Sequence, residues 1–137
     1  MPTDATILGF SNDWYTPAFE HSDSIVVSGV ALRVISGPYF IATKLAAFLS
    51  RGSDDVQRSH DIEDIVAVLA GRTELASEVG AAPRDVREFI GDTLAMLIRD
   101  RDLSSAVYGH LPPDAVSQVR GREVERVLRR VIETSRS

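Results

Sequence analysis

"GPYFIATKLAAFLSRGSDDVQRSHDIEDIVAVLAG", residues 37–71, decides the fold. Its Gly-Pro step opens a helix, with Pro38 near the first helical position, where a missing N–H costs nothing. That helix is expected to run to about Arg51. Gly52 to Arg58 reads as a polar loop. Ser59 has the side chain of an N-cap for a second helix over 60–70, and Gly71 ends it. Ile62, Ile65, Val66 and Leu69 recur at helical spacing and form its buried face. A loop this short makes the two helices neighbours. The end of the first should then lie near the start of the second.

Outward from this pair, the N-terminal side changes character. "DATILGF" (4–10) reads as a strand, and "SNDWYTPAFEHS" (11–22) as a loop with a short helical turn. "SIVVSGVALRVIS" (24–36) is β-branched and interrupted by Ser28-Gly29, which fits two short antiparallel strands. A pair of strands with no sheet behind it is marginal, so residues 1–36 read as the edge of a larger sheet. The C-terminal side is helical. "TELASEVG" (73–80) is a short helix with Thr73 as N-cap and Gly80 as stop. "APRDVREFIGDTLAMLIRDRDL" (82–103) is a longer one opened by Pro83. "HLPP" (110–113) is a break. A last helix follows from about Pro113 or Gln118, with Val116, Val119, Val124, Val127, Leu128 and Val131 as its seam. The fold class is α+β and predominantly helical: a few N-terminal strands, then a helical bundle, within one domain of 137 residues.

Composition narrows the chemistry. There is no cysteine, which excludes disulfides, thiolate metal sites and a cysteine nucleophile. The net charge of −5 disfavours a surface that coats nucleic acid, and no DNA binding is expected. No apolar run is long enough to span a membrane, and no signal peptide opens the chain, so a soluble cytoplasmic protein is expected. His21, His60 and His110 are scattered, without metal-ligand spacing. The tail arginines, Arg120, Arg122, Arg126, Arg129 and Arg130, are interspersed with Glu123, Glu125 and Glu133. They read as a solvated, ion-paired face.

The informative charges lie in 37–71. Lys44 is the single lysine; every other basic residue is arginine. Phe40, Lys44, Ala47, Phe48 and Arg51 share one helix face. Asp61 and Asp64, three apart, share a side of the next helix, off its apolar face. Arg51 is the cation placed to meet Asp61 or the loop carboxylates Asp54 and Asp55, while Lys44 is expected to face the later part of the second helix or another layer. Spacing alone favours an interhelical ion-pair set, because structural networks outnumber catalytic ones. The competing reading is a phosphate grip, since a lysine on a rigid helix is a compact charge that arginine does not replace.

"MPTD", "LGFSNDWY", "ISGPYFIATKLAAFLSRG" and "SHDIEDIVAVLAGR" together resemble the C-terminal half of bacterial nucleotidyltransferases of the AbiEii toxin type, in the polymerase-beta-like superfamily. The resemblance runs from Met1 to about residue 115. It implies that Lys44 and Arg51 bind nucleotide, that Asp61 is catalytic and that Asp64 supports it. It implies transfer of a nucleotidyl group from an NTP to a hydroxyl, with Mg²⁺ held by the family's Gly-Ser and Asp-x-Asp core. That core is absent from these residues. The chain is therefore expected to be inactive alone, with magnesium and NTP entering only when a core is supplied and no cofactor otherwise. The alternative is a non-catalytic, antitoxin-like interaction module, or a degenerate homologue, that pairs through its strand edge with a second copy or a partner chain.

Overall fold

The computed structural model describes residues 14–20, 22–50, 59–72 and 74–136, without the side chains of Tyr15 and Arg33. The expected strand at 4–10, the loop after residue 50 with Arg51, His21 and Thr73 lie outside the described residues. The elements are α1 (Tyr15–Glu20), β1 (Asp23–Val27), β2 (Val30–Val34), α2 (Gly37–Ser50), α3 (His60–Gly71), α4 (Leu75–Ala81), α5 (Arg84–Arg101), α6 (Leu103–Gly109) and α7 (Ala115–Ser135). The chain is α+β and predominantly helical, as its pattern implies.

β1 and β2 pair antiparallel, with Asp23 opposite Val34 and Val27 opposite Val30. The connection is the two-residue Ser28-Gly29 turn, with φ of 52° and 80°. Positive φ at both centres is the arrangement whose twist matches a right-handed hairpin, and glycine at the second position removes half its steric cost. Among the described residues nothing covers the hairpin. Every described side chain from Asp23 to Ile35 is exposed. The apolar ones are on both faces, with Val26 72%, Val30 56% and Leu32 45% exposed.

The core lies among the helices. α2 packs on α3, α4 and α5, and α7 packs on α3, α4, α5 and α6. Phe48, Ile41 and Leu45 from α2 meet Ile62 and Ile65 from α3, Leu75 from α4, Ile90, Leu94 and Leu97 from α5, and Leu128 from α7 in one buried cluster. Arg72, just past α3, donates from Nε and Nη2 to the two carboxylate oxygens of Glu78 on α4, both at 2.6 Å. This fork fixes the tight turn between the two helices.

Three expectations are corrected here. Gly80 does not stop α4; it lies inside it. A Cβ at Gly80 would sit 2.4 Å from Thr134 Cγ2 on α7, so the glycine is a notch for a helix crossing. Gly91 and Gly121 do the same, against Ser135 and the Tyr108 ring. Second, the 82–103 helix breaks at Asp102, which adopts φ 55° and ψ 49° and starts the separate short helix α6. Third, Val116 and Val119 are not seam residues: they are 81% and 57% exposed, and the seam begins at Gly121 and Val124.

Asp114 caps α7. Its Oδ1 accepts from the Ser117 N–H at 2.8 Å and its Oδ2 from the Ser117 hydroxyl at 3.1 Å. These bonds, the backbone one foremost, hold its carboxyl below the usual aspartate range. A lowered folded-state pKa stabilises above the unfolded value, near 3.9, and the stabilisation is lost as pH falls through the folded value. Thermal melts should therefore show wild type above Asp114→Ala near neutral pH. The gap should narrow as pH falls below the unfolded-state value and through the lowered folded-state one.

Candidate functional site

α2 and α3 present the charges that the sequence singles out. α3 starts cleanly because Ser59 Oγ accepts from the Ile62 N–H at 3.2 Å. Its first turn carries Asp61 and Glu63, where carboxylates are favoured by the helix dipole. Lys44 projects from the middle of α2 onto that turn. Its Nζ is 2.7 Å from Asp64 Oδ2 and 3.8 Å from Asp61 Oδ1. It also lies 5.6 Å from the centroid of the Phe40 ring, one helical turn earlier, within reach of a cation–π contact.

The three charges differ in burial. The Asp61 side chain is 5% exposed, Lys44 30% and Asp64 45%. Asp64 is therefore a rim group. Asp61 is sunk in the helix interface beside Ile62 and Ile65, and Lys44 bridges the two. This corrects two expectations. Asp61 is not off the buried face but at its edge, because the first turn of α3 tucks under α2. Lys44 does not face the later part of α3; it meets the first turn. The helices are neighbours as expected, but matched so that the middle of α2 abuts the start of α3. Loop length fixes proximity and leaves that match open. Arg51, the cation expected at Asp61, lies outside the described residues. The structure brings Lys44, Asp61 and Asp64 together.

The arrangement can hold a lysine in place. It does not fit magnesium. A magnesium site needs carboxylate oxygens free to take an octahedral ion. Here Asp61 and Asp64 close on Lys44, and among the described residues no group of three or more His, Asp or Glu side chains is placed to hold a metal. His60 starts α3 in an exposed position, and His110 follows α6; neither joins the cluster. The tail arginines are exposed along α7, with Arg126 Nη1 3.1 Å from Glu123, in keeping with a solvated face.

Sequence reasoning passed over a second polar cluster, where α5 begins and α7 ends. Arg84, Arg87, Glu88 and Asp92 on α5 meet Ser135 and Arg136 from the far end of the described chain. The only signal for it was the Arg-x-x-Arg-Glu spacing at the start of α5.

No helix among the described residues is long and apolar enough to cross a membrane. Compared with protein-family models, curated proteins and solved structures, the chain matches none, so what it does must be argued from its own residues.

Proposed function

We propose that this chain is the C-terminal part of a nucleotidyltransferase-like protein. Its β1–β2 hairpin joins the sheet of a nucleotidyltransferase core, and Lys44, steadied by Asp61 and Asp64, contacts the phosphates of the NTP bound there. The observation that carries the reading is the hairpin. Among the described residues no third strand pairs with this ribbon, and Ile25, Val26, Val27, Val30, Leu32 and Val34 are all exposed, with apolar surface on both faces. Such ribbons are marginal in water and gain most by adding strands. The sequence resemblance names the core that supplies those strands. Lys44 supports the same reading: a lone lysine, held on a rigid helix pair and one-third open to solvent. Asp61 then positions the lysine. The metal carboxylates belong to the core, not to these residues.

A second reading is favoured by one observation. Both carboxylates already neutralise Lys44, leaving a net negative cluster that repels a triphosphate unless another cation accompanies it. The chain would then be a non-catalytic interaction module that pairs through the same hairpin edge, with the Lys44 cluster as structural.

Two measurements separate them. The DNA preceding the Met1 codon should encode a Gly-Ser turn followed by Asp-x-Asp. The protein extended to include that segment should bind Mg·NTP in calorimetry and lose binding by at least about tenfold on Lys44→Ala. Stop codons in every upstream frame, or unchanged binding in the variant, would overturn the transferase reading. The hairpin has its own check. Val26→Lys should leave the unfolding free energy of the 137-residue chain within about 0.5 kcal/mol, since the site is exposed. It should also abolish assembly of the chain with the core, or with a second copy, in sedimentation velocity. A Val26→Lys chain that assembles as well as wild type removes the hairpin from either reading.

A further inference from the structure

The cleft between α5 and α7 has a chemistry of its own, independent of the Lys44 reading. It encloses about 440 Å³ and is lined by Arg84, Arg87, Glu88, Asp92, Ser135 and Arg136. It lies beside a close helix crossing, where Gly91 leaves room for Ser135: a Cβ on Gly91 would stand 1.8 Å from the serine Oγ. Three arginines against two carboxylates leave the lining with one net positive charge.

The polar groups are not equally engaged. Glu88 Oε1 accepts from Arg84 Nε at 2.6 Å, so this carboxylate is committed to its neighbour one turn back. Ser135 donates its hydroxyl proton to the Ile132 carbonyl at 2.6 Å, and therefore shapes the cleft without offering a donor to it. Arg87 is different. Its Nη1 reaches the Gly80 carbonyl only at 3.5 Å, and its Nε is buried with no hydrogen-bond partner among the described residues. A buried guanidinium donor without an acceptor is costly, and such groups are rare in folded proteins unless something else fills the place. The guanidinium offers a planar fork of N–H groups whose spacing matches two oxygens of an oxyanion. Arg87 also lies in the first turn of an 18-residue helix, where the backbone dipole favours a negative ligand. Arg136, exposed just past the end of α7, supplies a further cation from the opposite wall.

We propose that this cleft is a phosphate site: Arg87 is the fork that grips the anion, with Arg84 and Arg136 flanking it. The single net charge sets the ligand class. It matches one phosphate group, free or as a monoester, whereas a triphosphate brings about four charges against it, and Glu88 and Asp92 repel the excess.

The test is a titration of the full 137-residue chain with inorganic phosphate, at constant ionic strength balanced by chloride, following the backbone N–H signals of residues 84–88 and 136 by NMR. A saturable shift is expected, with the apparent Kd weakened about tenfold in Arg87→Gln and also weakened in Arg136→Gln. Lys44→Ala should leave it unchanged, which keeps this result separate from the nucleotide reading. Arg136 is exposed beyond the helix end, so its variant decides the matter if Arg87→Gln fails to fold. A linear, unsaturated shift, or a saturable one that neither arginine substitution alters, means an adventitious ion only and overturns the proposal. A parallel titration with glycerol phosphate assigns the source: tighter binding than inorganic phosphate identifies an ester ligand, and equal or weaker binding the free ion.

Discussion

A Phe48→Ala chain is expected to lose about 3–5 kcal/mol of unfolding free energy. Phe48 is 2% exposed and belongs to the buried cluster in which α2 joins α3, α5 and α7. Removing its ring takes away both the transfer free energy of a large side chain and the contacts of everything around the void. Four packed helices cannot all move in to fill it. A chain of this size has a total stability of roughly 5–15 kcal/mol, so the loss is a large fraction of the whole. Urea unfolding followed by circular dichroism reads it directly. A loss below about 1.5 kcal/mol would mean that α2 is not held as described, and the placement of Lys44 would go with it, since both residues ride on one helix four positions apart.

That dependence explains which parts of the structure were legible in the sequence. α2 and α3 could be read almost to the residue because their signals are local: Pro38 at the start, the Ser59 cap and the Ile62, Ile65, Val66, Leu69 stripe. The hairpin was legible for the same reason, since Ser28-Gly29 between two β-branched runs asks only for a turn with two positive φ values. What failed was non-local. Gly80 has the local mark of a helix stop, and only the approach of Thr134, more than fifty residues later, makes it a notch instead. Val116 and Val119 continue the periodicity of α7 correctly, but α6 meets that helix from Gly121 onward and leaves its first turns uncovered. Asp102 interrupts a sequence that continues in helical composition, because aspartate tolerates the left-handed region that a sharp change of direction requires. At the candidate site, residue types and the face of Lys44 were visible, while Asp61 was read as off the buried face and is buried at its edge. The partner of Lys44 was not visible, since spacing gives a face and a tertiary match gives the contact.

The Lys44 cluster supports the second large effect. Lys44→Glu is expected to cost about 3 kcal/mol, nearly all of it through Asp61. The Lys44–Asp64 bridge is short, but Asp64 is 45% exposed, and pairs of that kind contribute about 0–1 kcal/mol. Asp61 is only 5% exposed and 3.8 Å from the ammonium. A glutamate in place of Lys44 turns that attraction into repulsion, which solvent screens only from the Lys44 side. Lys44→Met, which keeps the apolar stem over Phe40, removes the attraction alone and should cost about 1–2 kcal/mol, less than a fully buried pair because Lys44 itself is partly solvated. Adding Asp61→Asn to Lys44→Met should restore most of that, because a neutral amide in the same place has no charge for a cation to offset. A double-mutant cycle by urea unfolding isolates the coupling. If Lys44→Glu costs under about 1 kcal/mol, Asp61 draws its compensation from another group, and Lys44 does not hold it. If the neutral double variant is as stable as wild type, the fold does not need the charges, and the lone lysine of an otherwise arginine-based chain is kept for what it contacts outside the fold. The ion pair and the proposed phosphate grip then cease to be rival explanations: carboxylates that hold Lys44 in one rotamer leave its open third to the proposed ligand.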